Sequence, residues 1–98
     1  TLVHERGRLF QRLQQFDFLE PYPTQANFIL CRVAGGKAKH ICEGLQRRGI
    51  FLRYFDTPLL RDCIRVSVGK PEHTEALVQG IEEIIEEDEE AKIVNPKF

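Results

Sequence analysis

The hydrophobic positions of this chain change period along its length, from a helical spacing of about 3.6 to the strand spacing of about 2 and back again. Leu2, Leu9, Leu13 and Phe16 recur at helical spacing among Arg6, Arg8, Arg12 and Gln14, which predicts an amphipathic helix ending near Asp17. Pro21 and Pro23 forbid continued helix, so 18–23 is expected to be extended and turn-like. The apolar run NFILCRV, 27–33, sits between Pro23-Thr24 and Gly35-Gly36 and reads as a strand. Ala38, Ile41, Cys42 and Leu45 then fall at i, i+3, i+4 and i+7, a second helix that Gly49 stops. After Gly69, Pro71 suits a first helical position, and Leu77, Ile81, Ile84 and Ile85 mark a third amphipathic helix. Lys70 is a poor cap, which leaves Glu72 and Glu75 to meet the positive end of that helix's dipole. The acids toward its end oppose the dipole, so fraying is expected after about Asp88.

Between the second and third helices, 49–69 reads GIFLRYFDTPLLRDCIRVSVG, two short apolar runs that each carry one arginine. Alternation places Ile50, Leu52 and Tyr54 on one face of the first run and Phe51 and Arg53 on the other. In the second run Ile64, Val66 and Val68 share a face, with Cys63, Arg65 and Ser67 opposite. The connecting residues 55–62 contain the turn-like Asp56-Thr57-Pro58 and favour an antiparallel pair. If the aliphatic residues face a common core, Arg53 and Arg65 emerge together on the other surface. Two convergent guanidinium groups suit a carboxylate or a phosphate, because each planar fork can donate two parallel charge-assisted hydrogen bonds. The alternative is that each arginine pairs with a local acid such as Asp56 or Asp62, or lies along the sheet edge with its tip in water.

The element order predicts an α+β fold, a two-layer sandwich with a small sheet of three or four mainly antiparallel strands and helices on one face. The strand at 63–68 is expected between the other two and antiparallel to both. Within one domain, 1–16 would be an interdomain helix, 17–90 the sheet and helices, and 91–98 a tail.

A length of 98 residues, 42% hydrophobic and 30% charged, bounds the answer to one ordinary globular domain. No apolar run approaches a membrane span, and TLVHERGRLF lacks the apolar core of a secretory signal. The opening Thr1 is what a segment of a longer chain would show. Cys31, Cys42 and Cys63 have no CxxC spacing and sit in apolar stretches, so buried free thiols in a reducing compartment are expected. His4, His40 and His73 share no ligand spacing and are expected at the surface, with no metal site. The net charge of -1 hides an asymmetry, since 1–81 hold 12 Lys/Arg against 8 Asp/Glu while 82–90 contribute seven acids and no base. No aromatic-interleaved basic patch supports nucleic-acid binding, and the acidic run reads as a solvated helix end.

Taken in order, an arginine-rich helix, PYPTQANFIL, a helix, GIFLRYF and CIRVSVGKPEHTEAL resemble a known family over about 3–86. The segment is similar to the C-terminal small domain of histidinol-phosphate aminotransferase, within the fold-type I aminotransferases that use pyridoxal phosphate. The resemblance implies amino-group transfer between L-histidinol phosphate and 2-oxoglutarate in histidine biosynthesis. It implies that Arg65, the arginine of RVSVG, holds the substrate carboxylate or phosphate, and that Arg53 is a second arginine in the same pocket. Asn27, at the ANF position, is given a structural role at the strand start. The catalytic lysine of such enzymes, and the residues that bind the cofactor's phosphate, lie in a large domain. None of Lys37, Lys39, Lys70, Lys92 or Lys97 has that lysine's sequence context, so these 98 residues alone are expected to be inactive and to bind the cofactor weakly or not at all. The implied partners are small anionic substrates, the enzyme's own large domain and a second subunit in a homodimer, in the cytoplasm or a plastid stroma. Another aminotransferase or decarboxylase of the same fold type, or a free-standing module that binds an anionic metabolite, remain open as alternatives.

Overall fold

A computed structural model describes residues 2–50 and 52–94, with side chains to Glu89. Its elements are α1 (Leu2–Gln14), β1 (Leu19–Pro21), β2 (Phe28–Val33), a short 3-10 turn (Ala34–Gly36), α2 (Ala38–Arg47), β3 (Leu52–Tyr54), β4 (Cys63–Ser67) and α3 (Pro71–Val94). The strands form one sheet in the order β1-β2-β4-β3, every neighbouring pair antiparallel. This is the α+β sandwich the periodicity predicts, with β4 between β2 and β3. Because β2 and β3 are both antiparallel to β4, they run parallel to each other, and α2 carries the chain from one to the other across β4.

One sheet face is apolar throughout. Ile29, Cys31 and Val33 of β2 lie beside Ile64 and Val66 of β4, and all are at most 4% exposed. Against them pack Leu9 and Leu13 of α1, Ile41 and Leu45 of α2, and Leu77, Ile81 and Ile84 of α3, all buried. Each fully buried aliphatic side chain contributes about 1.5–3 kcal/mol relative to exposure, so this layer dominates the stability of the fold. The helices α2 and α3 approach closely where they lack side chains: a Cβ on Gly44 would lie 2.6 Å from Ile84 Cδ1, and one on Gly80 would lie 2.8 Å from Leu45 Cδ2. Gly49 ends α2 as predicted, at φ 79°, with Ile50 N–H donating to Leu45 O and Gly49 N–H to Gln46 O, both at 3.0 Å. That left-handed turn satisfies carbonyls the helix end would otherwise leave open.

Three details depart from the periodicity. Residues 19–21, expected only to be extended, form a fourth strand pairing Leu19 with Val33 and Pro21 with Cys31. Pro21 is tolerated there because β1 is an edge strand, where a missing donor can face outward. Leu2, expected on the apolar stripe of α1, is 51% exposed, and the buried position one turn on is Glu5, at 4%. α3 continues past Asp88 to Val94. Its acids are not simply solvated: Arg48 Nε pairs with Glu83 at 2.9 Å and Arg48 Nη2 with Glu87 at 2.6 Å, while His40 Nε2 meets Asp88 at 3.1 Å. His40 of α2 and Arg48, just beyond its end, thus offset the unfavourable dipole. Phe51 and 95–98 lie outside the described residues.

Candidate functional site

The sheet face away from the helices carries the two arginines of the candidate site. On it the antiparallel register sets Arg53 of β3 directly opposite Arg65 of β4, as the shared-face expectation requires. Leu52 and Tyr54, opposite Val66 and Ile64, turn the other way into the core side. Like charges placed directly across a sheet repel, at about 0.2–1 kcal/mol, so this pair is an energetic cost to the fold. Among the described residues neither arginine makes an ion pair, with Asp56, Asp62 or any other acid. The local-acid alternative is therefore not realised.

The environments of the two differ. Arg53 is exposed on the edge strand, whereas Arg65 is half-buried in the second strand from that edge. On its other side Arg65 faces Leu30 of β2, and its Cζ lies 4.3 Å from the centroid of the Phe28 ring. Phe28 is the diagonal neighbour on β2, opposite Ser67. A guanidinium at that distance over an aromatic face gains about 0.5–2 kcal/mol, depending on how far water is excluded. Periodicity did not single out Phe28. The signal was nonetheless present, because an aromatic two residues before Leu30 must share its face. Asn27 has a structural role through its backbone: its carbonyl accepts from Val68 N–H at 2.9 Å and closes the end of the β2–β4 ladder.

A second cluster, also missed by periodicity, joins α1 to the start of α3. The Glu5 carboxylate accepts from the Thr74 hydroxyl and from Arg8 Nε and Nη2 at 3.2 and 3.1 Å. Glu75 accepts from Arg8 Nη1 at 2.5 Å and Arg12 Nη1 at 2.7 Å. The Thr74 hydroxyl first, then Arg8, hold the Glu5 carboxyl below the usual carboxylate range, and Arg8 and Arg12 do the same to Glu75. The start of α3 is itself capped: His73 Nδ1 accepts from Lys70 N–H at 3.2 Å, the reach-back that a glutamate makes in a capping box.

Other chemistry finds little support. Cys31, Cys42 and Cys63 are buried free thiols, and burial raises all three, Cys31 to about 12, so none is a ready nucleophile. Among the described residues no group of His, Cys, Asp or Glu is arranged to hold a metal ion. His4, His40 and His73 are exposed, as expected. Lys37, Lys39 and Lys70 are exposed too. A cleft of about 570 Å³ on the helix side, bordered by Leu9, Val68, His73 and Leu77, is mostly apolar and contains neither arginine. No helix among the described residues is long and apolar enough to cross a membrane.

No family model matches the chain. Individual proteins do. The histidinol-phosphate aminotransferase of Dehalococcoides mccartyi is 48% identical over 83 residues, which are 85% of this chain and 23% of that protein. The chloroplastic histidinol-phosphate aminotransferase of Nicotiana tabacum is 51% identical over 80 residues, 81% of this chain and 19% of that protein. Among solved structures, histidinol-phosphate aminotransferase from Sinorhizobium meliloti in complex with pyridoxal-5'-phosphate superposes with a TM-score of 0.77 at 25% identity, over 88% of this chain and 24% of that one. L-threonine-O-3-phosphate decarboxylase from Porphyromonas gingivalis has the same TM-score of 0.77 at 18% identity, a likeness of fold alone. The chain spans about a fifth to a quarter of the length of these relatives. Over most of its residues it is homologous to a segment of histidinol-phosphate aminotransferases and shares that segment's fold.

Proposed function

We propose that this chain is the small, substrate-binding domain of a histidinol-phosphate aminotransferase, with Arg65 as the main anchor of the substrate anion and Arg53 as the second. The observation that carries the reading is the Arg53–Arg65 register pair, two cations side by side on an open sheet face with no acid among the described residues to neutralise them. An oxyanion binding between the forks would relieve their repulsion and accept charge-assisted hydrogen bonds of about 1.5–3 kcal/mol each. The full enzyme would transfer an amino group between L-histidinol phosphate and 2-oxoglutarate. Both partners carry an oxyanion, and a bidentate fork accepts either a phosphate or a carboxylate.

Pyridoxal phosphate supplies the bond chemistry in this reading and belongs with parts of the enzyme beyond these residues. The role of this chain is to hold the anion and so fix where the substrate amine lies. The size of the relatives favours a piece of an enzyme over a free-standing module. Three buried free thiols suit a reducing compartment, a cytoplasm or a plastid stroma, and the assembled enzyme is proposed to be a homodimer.

Substitution in the complete enzyme tests the assignment. Arg65→Ala is expected to lower kcat/KM for L-histidinol phosphate about a hundred- to a thousandfold, the usual scale for removing one side of a buried charge-assisted contact. Wild-type turnover in that variant would sink the reading. Arg53→Ala should weaken L-histidinol phosphate more than 2-oxoglutarate, and equal losses for both would remove its separate role.

A further inference from the structure

We infer that Phe28 is a positioning residue for Arg65, held in place from α1 by Arg6; the inference rests on the reading of Arg65 as the substrate-anion anchor.

An arginine on an open sheet face has a long, mobile side chain, and fixing it costs rotamer entropy. A fold usually fixes such a side chain with an acid, as it does here for Arg8 with Glu5 and Glu75 and for Arg48 with Glu83 and Glu87. An acid would be the wrong device for Arg65. It would occupy the N–H fork and compete with the incoming oxyanion. An aromatic ring 4.3 Å from Cζ attracts the cation through its π face instead and places no carboxylate on the N–H groups, which stay available to an oxyanion. Phe28 therefore restrains the guanidinium of Arg65 without filling its fork with an acid. Its diagonal register, opposite Ser67, sets the direction in which the fork leans.

The ring is only as fixed as the backbone that carries it. Phe28 is the first residue of β2 and directly follows an irregular segment, 24–27. In that segment Thr24 Oγ1 accepts from Ala26 N–H at 3.0 Å. Arg6 Nη1 donates to Gln25 O at 2.9 Å and reaches Ala26 O at 3.5 Å. Val68 N–H holds the next carbonyl, that of Asn27, at 2.9 Å. Three successive carbonyls before Phe28 are thus tied down, two of them by α1 and one by the end of β4. The register of α1 on the core, set by buried Leu9 and Leu13, is passed through Arg6 to the strand entry and through Phe28 to Arg65.

The test uses the complete holoenzyme with three readouts: KM and kcat for L-histidinol phosphate, and the inhibition constant of inorganic phosphate. Phe28→Leu is expected to raise KM and the phosphate inhibition constant about tenfold while kcat changes less than about threefold, and Phe28→Tyr should stay within about twofold of wild type. A series of ring-fluorinated phenylalanines at position 28 removes π density with little change of shape, and should weaken phosphate stepwise. It also provides the answer if Phe28→Leu does not fold, and a packing role alone would leave the series flat. Arg6→Gln should move the same constants in the same direction by less. A phosphate inhibition constant that is constant across the fluorinated series, in an enzyme that Arg65→Ala cripples, overturns the role of Phe28 and leaves the anchor standing. Wild-type constants in Arg65→Ala overturn both.

Discussion

Arg8 and Arg65 put the same guanidinium group into opposite circumstances. Arg8, between α1 and α3, has its fork taken up by Glu5, Glu75 and the Pro71 carbonyl, at distances of 2.5–3.2 Å. Arg65, on the open sheet face, has a phenylalanine beneath it, another arginine beside it and, among the described residues, no acid at ion-pair distance. The first arrangement is what a fold builds to hold two helices together. The second sets two like charges side by side, at a small cost that the Phe28 contact offsets, and leaves both forks open to solvent or to an anion. The internally satisfied Arg8 therefore has a structural role, while the open forks of Arg53 and Arg65 are what the proposed anion site draws on.

That contrast breaks most sharply on the Arg65→Ala variant. Its activity should drop about a hundred- to a thousandfold, whereas its stability should fall by less than about 2 kcal/mol, because relief of the like-charge pair offsets part of the lost contact with Phe28. A stability loss well beyond about 2 kcal/mol, together with the lost activity, would place Arg65 with Arg8 as a structural residue. The next effect in size belongs to the helix side. Thr74→Val keeps the shape of a buried side chain but removes a hydroxyl that donates to Glu5, and should destabilise the protein by about 1–3 kcal/mol in chemical denaturation, with KM unchanged. A shifted KM would mean that the α1–α3 cluster reaches the anion site. His73→Ala, which removes the acceptor for Lys70 N–H at the start of α3, should cost about 0.5–1 kcal/mol. No loss would show that Glu72 and the dipole suffice there.

The smallest effect is on pH dependence. The carboxyls of Glu5 and Glu75 titrate below their usual range in the folded state, so each contributes stability that is fully present above the ordinary carboxylate value and is lost as the pH falls through the folded one. Denaturation midpoints should therefore decline on the acid side, and Glu75→Gln should flatten part of that decline. Glu75 is about half exposed, which keeps the change modest. An unchanged acid limb in Glu75→Gln would show that its contacts with Arg8 and Arg12 contribute nothing measurable.

Much of this was legible in the residues. The i, i+3, i+4, i+7 pattern of Ala38, Ile41, Cys42 and Leu45 fixes which side of α2 is buried, because a helix has one geometry and a wide apolar stripe has one place to go. Alternation in CIRVSVG likewise fixes Arg65 away from the core before any partner strand is known. Glu5 was not legible. A single acid at a stripe position looks like a solvent residue until a hydroxyl and a guanidinium arrive from elsewhere, one of them 69 residues away along the chain. The same holds for β1, since three residues ending in proline become a strand only when Val33, Arg32 and Cys31 are laid beside them.

By itself, then, the sequence determined the three helices, the strands β2 to β4, most of the buried face of each and the fact that Arg53 and Arg65 share a surface, all consequences of local periodicity. Only the tertiary structure decided that the two are direct cross-strand neighbours, that Phe28 lies under Arg65, and that the helix-side charges are mutually neutralised. Those facts depend on strand register and on contacts between distant residues, and no local pattern encodes the distance between side chains that the chain brings together only on folding.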